Sequence, residues 1–211
     1  MPLGASRVEG ARPVFESYRY ELWKLLVDGG WEFDFIGTKK DDFPYEDYAE
    51  LSFDNDHEGR SGFTSVQILA EIEEWIEIAG APDIVLFSSP GGNDILGESA
   101  TYSEILSNIN NIIDIIQESN PNVTIVIEKL APGKTIFMTE ELQEAFDRMQ
   151  EDVVTISEIQ TTNTSKVITV DMATGFDDSH LADVIHYNEK GALFIAERYY
   201  DILVDILVEL E

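Results

Sequence analysis

The chain contains no cysteine, few basic residues and no long apolar run. The first absence removes disulfides, thiolate nucleophiles and cysteine-ligated zinc together, while leaving the compartment open. The second sets 13 Lys plus Arg against 42 Asp plus Glu, a net charge of −29 that repels a nucleic-acid backbone. Nucleic-acid partners are set aside. Charge of this size is better tolerated in salty water, where screening shortens its self-repulsion, so a melting temperature that rises with salt is expected. The third absence argues against a membrane helix, which needs about 18 apolar residues in a row; polar side chains interrupt even the isoleucine-rich stretch 105–116. No Pro/Gly/Ser-rich stretch, repeat or low-complexity segment divides the 211 residues, so one domain over 1–211 is expected. No signal peptide is visible, but the numbering opens inside an apolar run read as the end of a strand, so upstream residues, export and oligomeric state stay open.

The hydrophobic pattern alternates between two periods. Residues 18–27 carry Tyr18, Leu22, Leu25 and Leu26 at helical spacing before Gly29 and Gly30. Residues 31–36, Trp-Glu-Phe-Asp-Phe-Ile, alternate and predict the second strand. Residues 39–56 are acidic and tyrosine-rich, with Pro44 inside, and predict a long surface loop, either solvated or shaping the rim of a site. Asp54, Asp56, Glu58 and Gly59 copy the opening of a calcium-binding loop, but the twelfth position is Ser65 rather than a glutamate, so no metal is expected. Residues 65–78 predict a helix with Val66, Leu69, Ile72, Trp75 and Ile76 inward. A buried strand over 82–89, a helix over 102–117, a strand over 122–128, an acidic helix over 140–158 and a last strand over 166–171 follow. The closing helix, 189–210, turns Phe194, Ile195, Tyr199, Ile202, Leu203, Ile206 and Leu210 inward. Such alternation predicts the α/β class: a five-stranded parallel sheet in a three-layer α/β/α sandwich.

Chemistry enters where the first apolar run stops at Gly4, just before Ser6. At the carboxyl edge of a parallel sheet a serine on such a turn faces the crevice where open α/β proteins bind ligands, although the same serine also suits a helix N-cap. Three later stretches join it: His-Glu-Gly-Arg-Ser-Gly-Phe-Thr-Ser at 57–65, Gly-Gly-Asn-Asp at 91–94 and Asp-Val-Ile-His at 183–186. Taken singly, Asp183 suits a cap, His186 a loop histidine, and Gly62 and Asn93 turn residues. Asp94 suits a brace for its loop, and Gly91-Gly92 is no phosphate loop because no lysine follows.

In this order, together with Gly4-Ala5-Ser6, these stretches resemble the four blocks of the SGNH (GDSL-type) hydrolase superfamily, and within it most resemble the acetyl-xylan esterases of carbohydrate esterase family 3. The resemblance spans nearly the whole chain. It implies a flavodoxin-like strand order and a serine ester hydrolase that removes short acyl groups, above all acetyl, with no metal or cofactor. Ser6 is then expected as nucleophile, His186 as general base and Asp183 as the group orienting it, with an oxyanion hole from the Ser6 and Gly62 N–H groups and the Asn93 amide. The substrate implied is a small or carbohydrate ester. Arylester, lysophospholipid or thioester hydrolysis, or a silent carbohydrate-binding relative, are the alternatives. A neutral imidazole base predicts activity that falls as pH drops through about 6 to 7.

The first block departs from the family's Gly-Asp-Ser-Ile-Thr: Ala5 replaces the aspartate, Arg7 the isoleucine and Val8 the threonine. Arg7 and Arg60, two guanidinium groups near the serine, suit either local structure or contact with an anionic or carbonyl-bearing substrate. His57 and His180 are expected at the surface or in support of the site.

Overall fold

The opening apolar run becomes β1 (Pro2–Gly4) in the computed structural model, which describes residues 1–210. It is followed by α1 (Ser6–Glu9), α2 (Arg19–Asp28), β2 (Glu58–Gly59), α3 (Ser65–Ala79), β3 (Ile84–Phe87) and α4 (Gly92–Gly97). Then come α5 (Tyr102–Ser119), β4 (Thr124–Lys129), α6 (Glu140–Gln160), β5 (Lys166–Asp171) and α7 (Glu189–Leu210). All five strands are parallel, in the order β2-β1-β3-β4-β5. This is the flavodoxin-like order, whose chain reversal between β1 and β3 opens a crevice at the carboxyl ends.

Successive strand residues point to opposite faces, so β3, β4 and β5 each feed two cores. Leu3, Val85, Phe87, Ile125 and Ile127 pack with α3, α5 and α6, whereas Leu86, Val126 and Val170 pack with α2 and α7. Helix α5 shows how sequence makes such a layer. Thr101 accepts a hydrogen bond from Glu104 N–H while the Glu104 carboxylate takes the Thr101 N–H, which closes the first turn. Ile105, Ile109, Ile112, Ile113 and Ile116 then fall on one stripe and are buried. Burying one such isoleucine contributes roughly 1.5–3 kcal/mol relative to leaving it in water.

Two expectations are corrected. The second strand is not at 31–36. Trp31, Phe33 and Phe35 do turn inward and Glu32 and Asp34 outward, but the segment joins no ladder. It borders a cavity of about 840 Å³ at the amino end of β1, lined also by Pro82 and Ile84, and its Phe35 N–H donates to the Asp54 carboxylate rather than to a main-chain carbonyl. The sheet's outer strand is β2, paired Leu3 to Glu58 and Gly4 to Gly59. In α3, Val66 is 52% exposed and Ile68 takes the buried place, because the inner stripe runs through Ile68, Ile72, Trp75 and Ile76. The Leu210 side chain lies outside the described residues.

The stretch 39–56 is more than a solvated loop. Tyr45 and Phe53 pack edge-on or tilted among Tyr20 and Trp23 of α2. The Asp41 side chain is buried against Arg19 at 2.7 Å and His57 at 3.0 Å. The carboxylates that mimic a calcium loop are engaged by the Phe35 N–H, Lys40 and Arg60. Among the described residues no helix is long and apolar enough to cross a membrane.

Candidate active site

Ser6 owes its place to Gly4. Here the chain leaves β1 at φ +155°, and a Cβ would lie 2.8 Å from both the Ser88 carbonyl and a Val8 methyl, so only glycine lets the turn close. Ser6 then opens the short α1 with its N–H in the first turn, where a helix has no internal acceptor for it.

The loop between β5 and α7 brings the other partners. His186 Nε2 lies 2.9 Å from Ser6 Oγ, and its Nδ1 lies 2.7 Å from Asp183 Oδ2. The second oxygen of Asp183 accepts the N–H groups of Ile185 at 2.8 Å and His186 at 2.7 Å, so the turn holds both ends of the pair. Burial pushes the Asp183 carboxyl up, but these N–H groups and the imidazole outweigh it and hold the carboxyl below its ordinary value. An ionised carboxylate only accepts, so Nδ1 carries the ring proton and Nε2 presents a lone pair to the Ser6 hydroxyl. Phe15 stacks on the imidazole at 3.9 Å and 15°, fixing the ring plane.

Beside Ser6 lies a pocket of about 30 Å³, lined by Asn93 and Ser89 and closed by Leu96, Leu130 and Phe146. Asn93 donates one amide hydrogen to the Phe63 carbonyl at 2.8 Å and keeps a second donor. The turn before it is strained: Ser89 sits at φ +48°, pinned by its N–H to the buried Glu128 carboxylate at 2.7 Å. Asp94 braces the neighbouring helix, accepting the Ser65 N–H at 2.7 Å and its hydroxyl at 2.9 Å. Gly62 is not among the pocket's lining. It occupies an exposed turn at φ +80°, tied to the site on either side through Ser61 N–H to Glu9 and Phe63 to Asn93.

Other expectations change. Arg7 was expected to stabilise structure or meet substrate; it is 6% exposed, and its donors are taken by the carbonyls of Ala131, Pro132 and Ile185 and by Ser89. None is left for a substrate. Arg60 lies over the Trp75 ring and donates to Thr38 and Glu58. His57 and His180 are buried rather than at the surface, at 0% and 4% exposure. Phe15, Glu128 and the strained Ser89 carried no local signal, because each works through partners far away in sequence. The large cavity at the amino end of β1 contains neither serine nor histidine in its lining and lies at the opposite end of the strands from Ser6.

Solved structures share this arrangement of elements. A carbohydrate esterase family 3 protein from Talaromyces cellulolyticus superposes with a TM-score of 0.86 at 26% identity, covering 100% of this chain and 98% of that one. A serine-to-alanine mutant of an acetyl esterase, solved with an acetate ion, gives 0.85 at 25% identity over 100% and 98%. A family 3 carbohydrate esterase from Clostridium thermocellum gives 0.79 at 31% identity over 100% and 96%. No family sequence model and no curated protein sequence matches the chain.

Proposed function

Because this chain belongs to carbohydrate esterase family 3, among the SGNH hydrolases, and is an esterase-type hydrolase, we propose that it removes short acyl groups, chiefly acetyl, from carbohydrate esters by way of an acyl-enzyme on Ser6. Ser6 Oγ attacks the ester carbonyl carbon while its proton passes to His186 Nε2. The oxygen that becomes negative is held by the Ser6 N–H and the free amide hydrogen of Asn93, while the Gly62 N–H, expected as a third donor, lies in an exposed turn outside the pocket's lining. The tetrahedral species collapses, and His186 returns the proton to the departing alcohol. Water then gives its proton to His186 and attacks acyl-Ser6, releasing the acid and restoring the hydroxyl. Asp183 keeps the imidazole in the one tautomer that serves both halves.

The observation that carries this reading is the 2.9 Å contact from His186 Nε2 to Ser6 Oγ with Asp183 behind the ring. The acetyl preference is supported by the small pocket beside Ser6, which Leu96, Leu130 and Phe146 line with apolar side chains. It is also in keeping with the acetate-bound acetyl esterase. Replacing Ser6→Ala should lower kcat on a nitrophenyl acetate by about 10⁴-fold or more. Full turnover by that variant would rule out the nucleophile. Rates across an acyl series should fall steeply beyond acetyl, and acetylated xylan oligomers run against aryl acetates separate sugar deacetylation from general esterase activity.

A further inference from the structure

We infer that Arg7 is a positioning residue for this reaction: one buried guanidinium that holds the segment bearing the base in register with the helix bearing the nucleophile. The inference rests on the reading of Ser6 as nucleophile and goes beyond it. Arg7 follows Ser6 directly and projects away from solvent, 6% exposed, under the Tyr187 ring at 4.8 Å. Its Nε and Nη2 both donate to the Ile185 carbonyl, at 3.1 and 2.9 Å. Its Nη1 donates to the Ala131 carbonyl at 2.8 Å and reaches Ser89 Oγ at 3.5 Å, and its Nη2 also donates to the Pro132 carbonyl at 3.2 Å.

These acceptors belong to three chain segments, at 89, 131–132 and 185, that converge on this one guanidinium. Ile185 is the residue before His186, so fixing its carbonyl fixes the peptide plane from which the imidazole projects. Ser89 begins the strained turn that leads to Asn93, and its hydroxyl also faces Glu128 at 3.3 Å. The loop 131–132 follows directly on Leu130, which lines the pocket beside Ser6. Arg7 is therefore joined to the base, to an oxyanion donor and, through the main chain, to the nucleophile.

The chemistry of the side chain explains why arginine suits this place. Buried charge is costly unless its donors are satisfied, and here all five have acceptors. A planar fork can hold carbonyls on several sides at once; the compact ammonium of lysine, with three donors, cannot reach the same set. The isoleucine of the family's first block could hold none of them. In this chain the base segment is held by hydrogen bonds where an apolar residue could offer packing alone.

A displacement of about 1 Å at reacting atoms costs on the order of 10²-fold in rate, so loosening this clamp should act on turnover more than on binding. Arg7→Met should therefore lower kcat on a nitrophenyl acetate by about 10- to 100-fold with KM within about threefold, and slow fluorophosphonate modification of Ser6 in parallel. Arg7→Lys should fall between the two. All variants are assayed well below their melting midpoints, with folding checked by circular dichroism. A purely structural role would lower the midpoint and leave kcat of the folded enzyme alone; a folded Arg7→Met with kcat within about twofold of the parent overturns the inference. Where Arg7→Met does not fold, Arg7→Lys decides in the same way. An active Ser6→Ala variant would instead sink the nucleophile reading, so the two failures are told apart.

Discussion

Two Asp-x-x-His turns stand back to back between β5 and α7, Asp177 to His180 and Asp183 to His186. Locally they look alike, since each aspartate lies within 3.1 Å of the Nδ1 of its own histidine, but the Nδ1 of His180 bonds the Asp177 main chain, at 3.1 Å to the N–H and 3.2 Å to the carbonyl, while that of His186 bonds the Asp183 carboxylate. They differ in what lies beyond the ring. His180 is packed between Phe176 and Phe194, both at 4.9 Å, and helix α7 closes over it so tightly that a Cβ at Gly191 would meet its carbonyl at 2.1 Å. His186 has one face on Phe15 and its Nε2 on the Ser6 hydroxyl. The motif builds a carboxylate–imidazole pair in both places. Only the non-local neighbour decides whether that pair is packed into the fold or faces the Ser6 hydroxyl.

The comparison breaks most sharply at the rings. His186→Ala should lower kcat by about 10⁴-fold or more with little change in melting temperature. His180→Ala should do the reverse, losing about 2 kcal/mol of stability from its aromatic slot while kcat of the folded protein stays within about threefold. Steady-state rates beside thermal melts of both variants check this; equal rate losses would erase the distinction.

A smaller effect is expected at the aspartates. Asp183→Asn removes the acceptor that holds the Nδ1 proton, and kcat should fall by about 10²- to 10⁴-fold, as when the wrong tautomer is favoured. Asp177→Asn weakens only a turn that caps Ser179, with a slightly lower melting temperature and an unchanged rate.

The third aspartate–histidine pair sharpens the contrast through stability alone. Burial pushes His57 below its ordinary 6.5, against the pull of Asp41, so the unfolded chain takes up this proton before the folded one does. For Asp41, burial alone would raise the carboxyl, but His57 and Arg19 hold it at about 2 against an ordinary 3.8. Both groups bind fewer protons folded than unfolded. Their contribution is therefore present at neutral pH, begins to fade as pH drops below 6.5, and the Asp41 part goes between 3.8 and about 2. Melting temperatures followed from pH 7 to 3 should fall, and Asp41→Asn should flatten the low-pH part of that slope. An unchanged slope would mean the pair is not what acid titrates.

How far the sequence carried the structure follows the same divide between local and distant partners. The bounds of β5 and α7 and the isoleucine stripe of α5 were legible because period and end signals sit within the element. Residues 31–36 alternate as expected, yet pairing requires a neighbour strand that no alternation can report. Ser6, Asn93, Asp183 and His186 were legible as ordered blocks, and the chain brings the first, third and fourth into hydrogen-bond contact. Arg7 was not readable as a clamp, since three of its acceptors are main-chain carbonyls more than a hundred residues away and any residue type could supply them.

The central claim is that His186, and no other histidine, makes the Ser6 hydroxyl nucleophilic. Incubation with a fluorophosphonate followed by peptide mass mapping tests it most directly. A single adduct on Ser6 in the parent and in His180→Ala, lost in His186→Ala, is the predicted result. Labelling of His186→Ala at the parent rate, or an adduct on another serine, would contradict it.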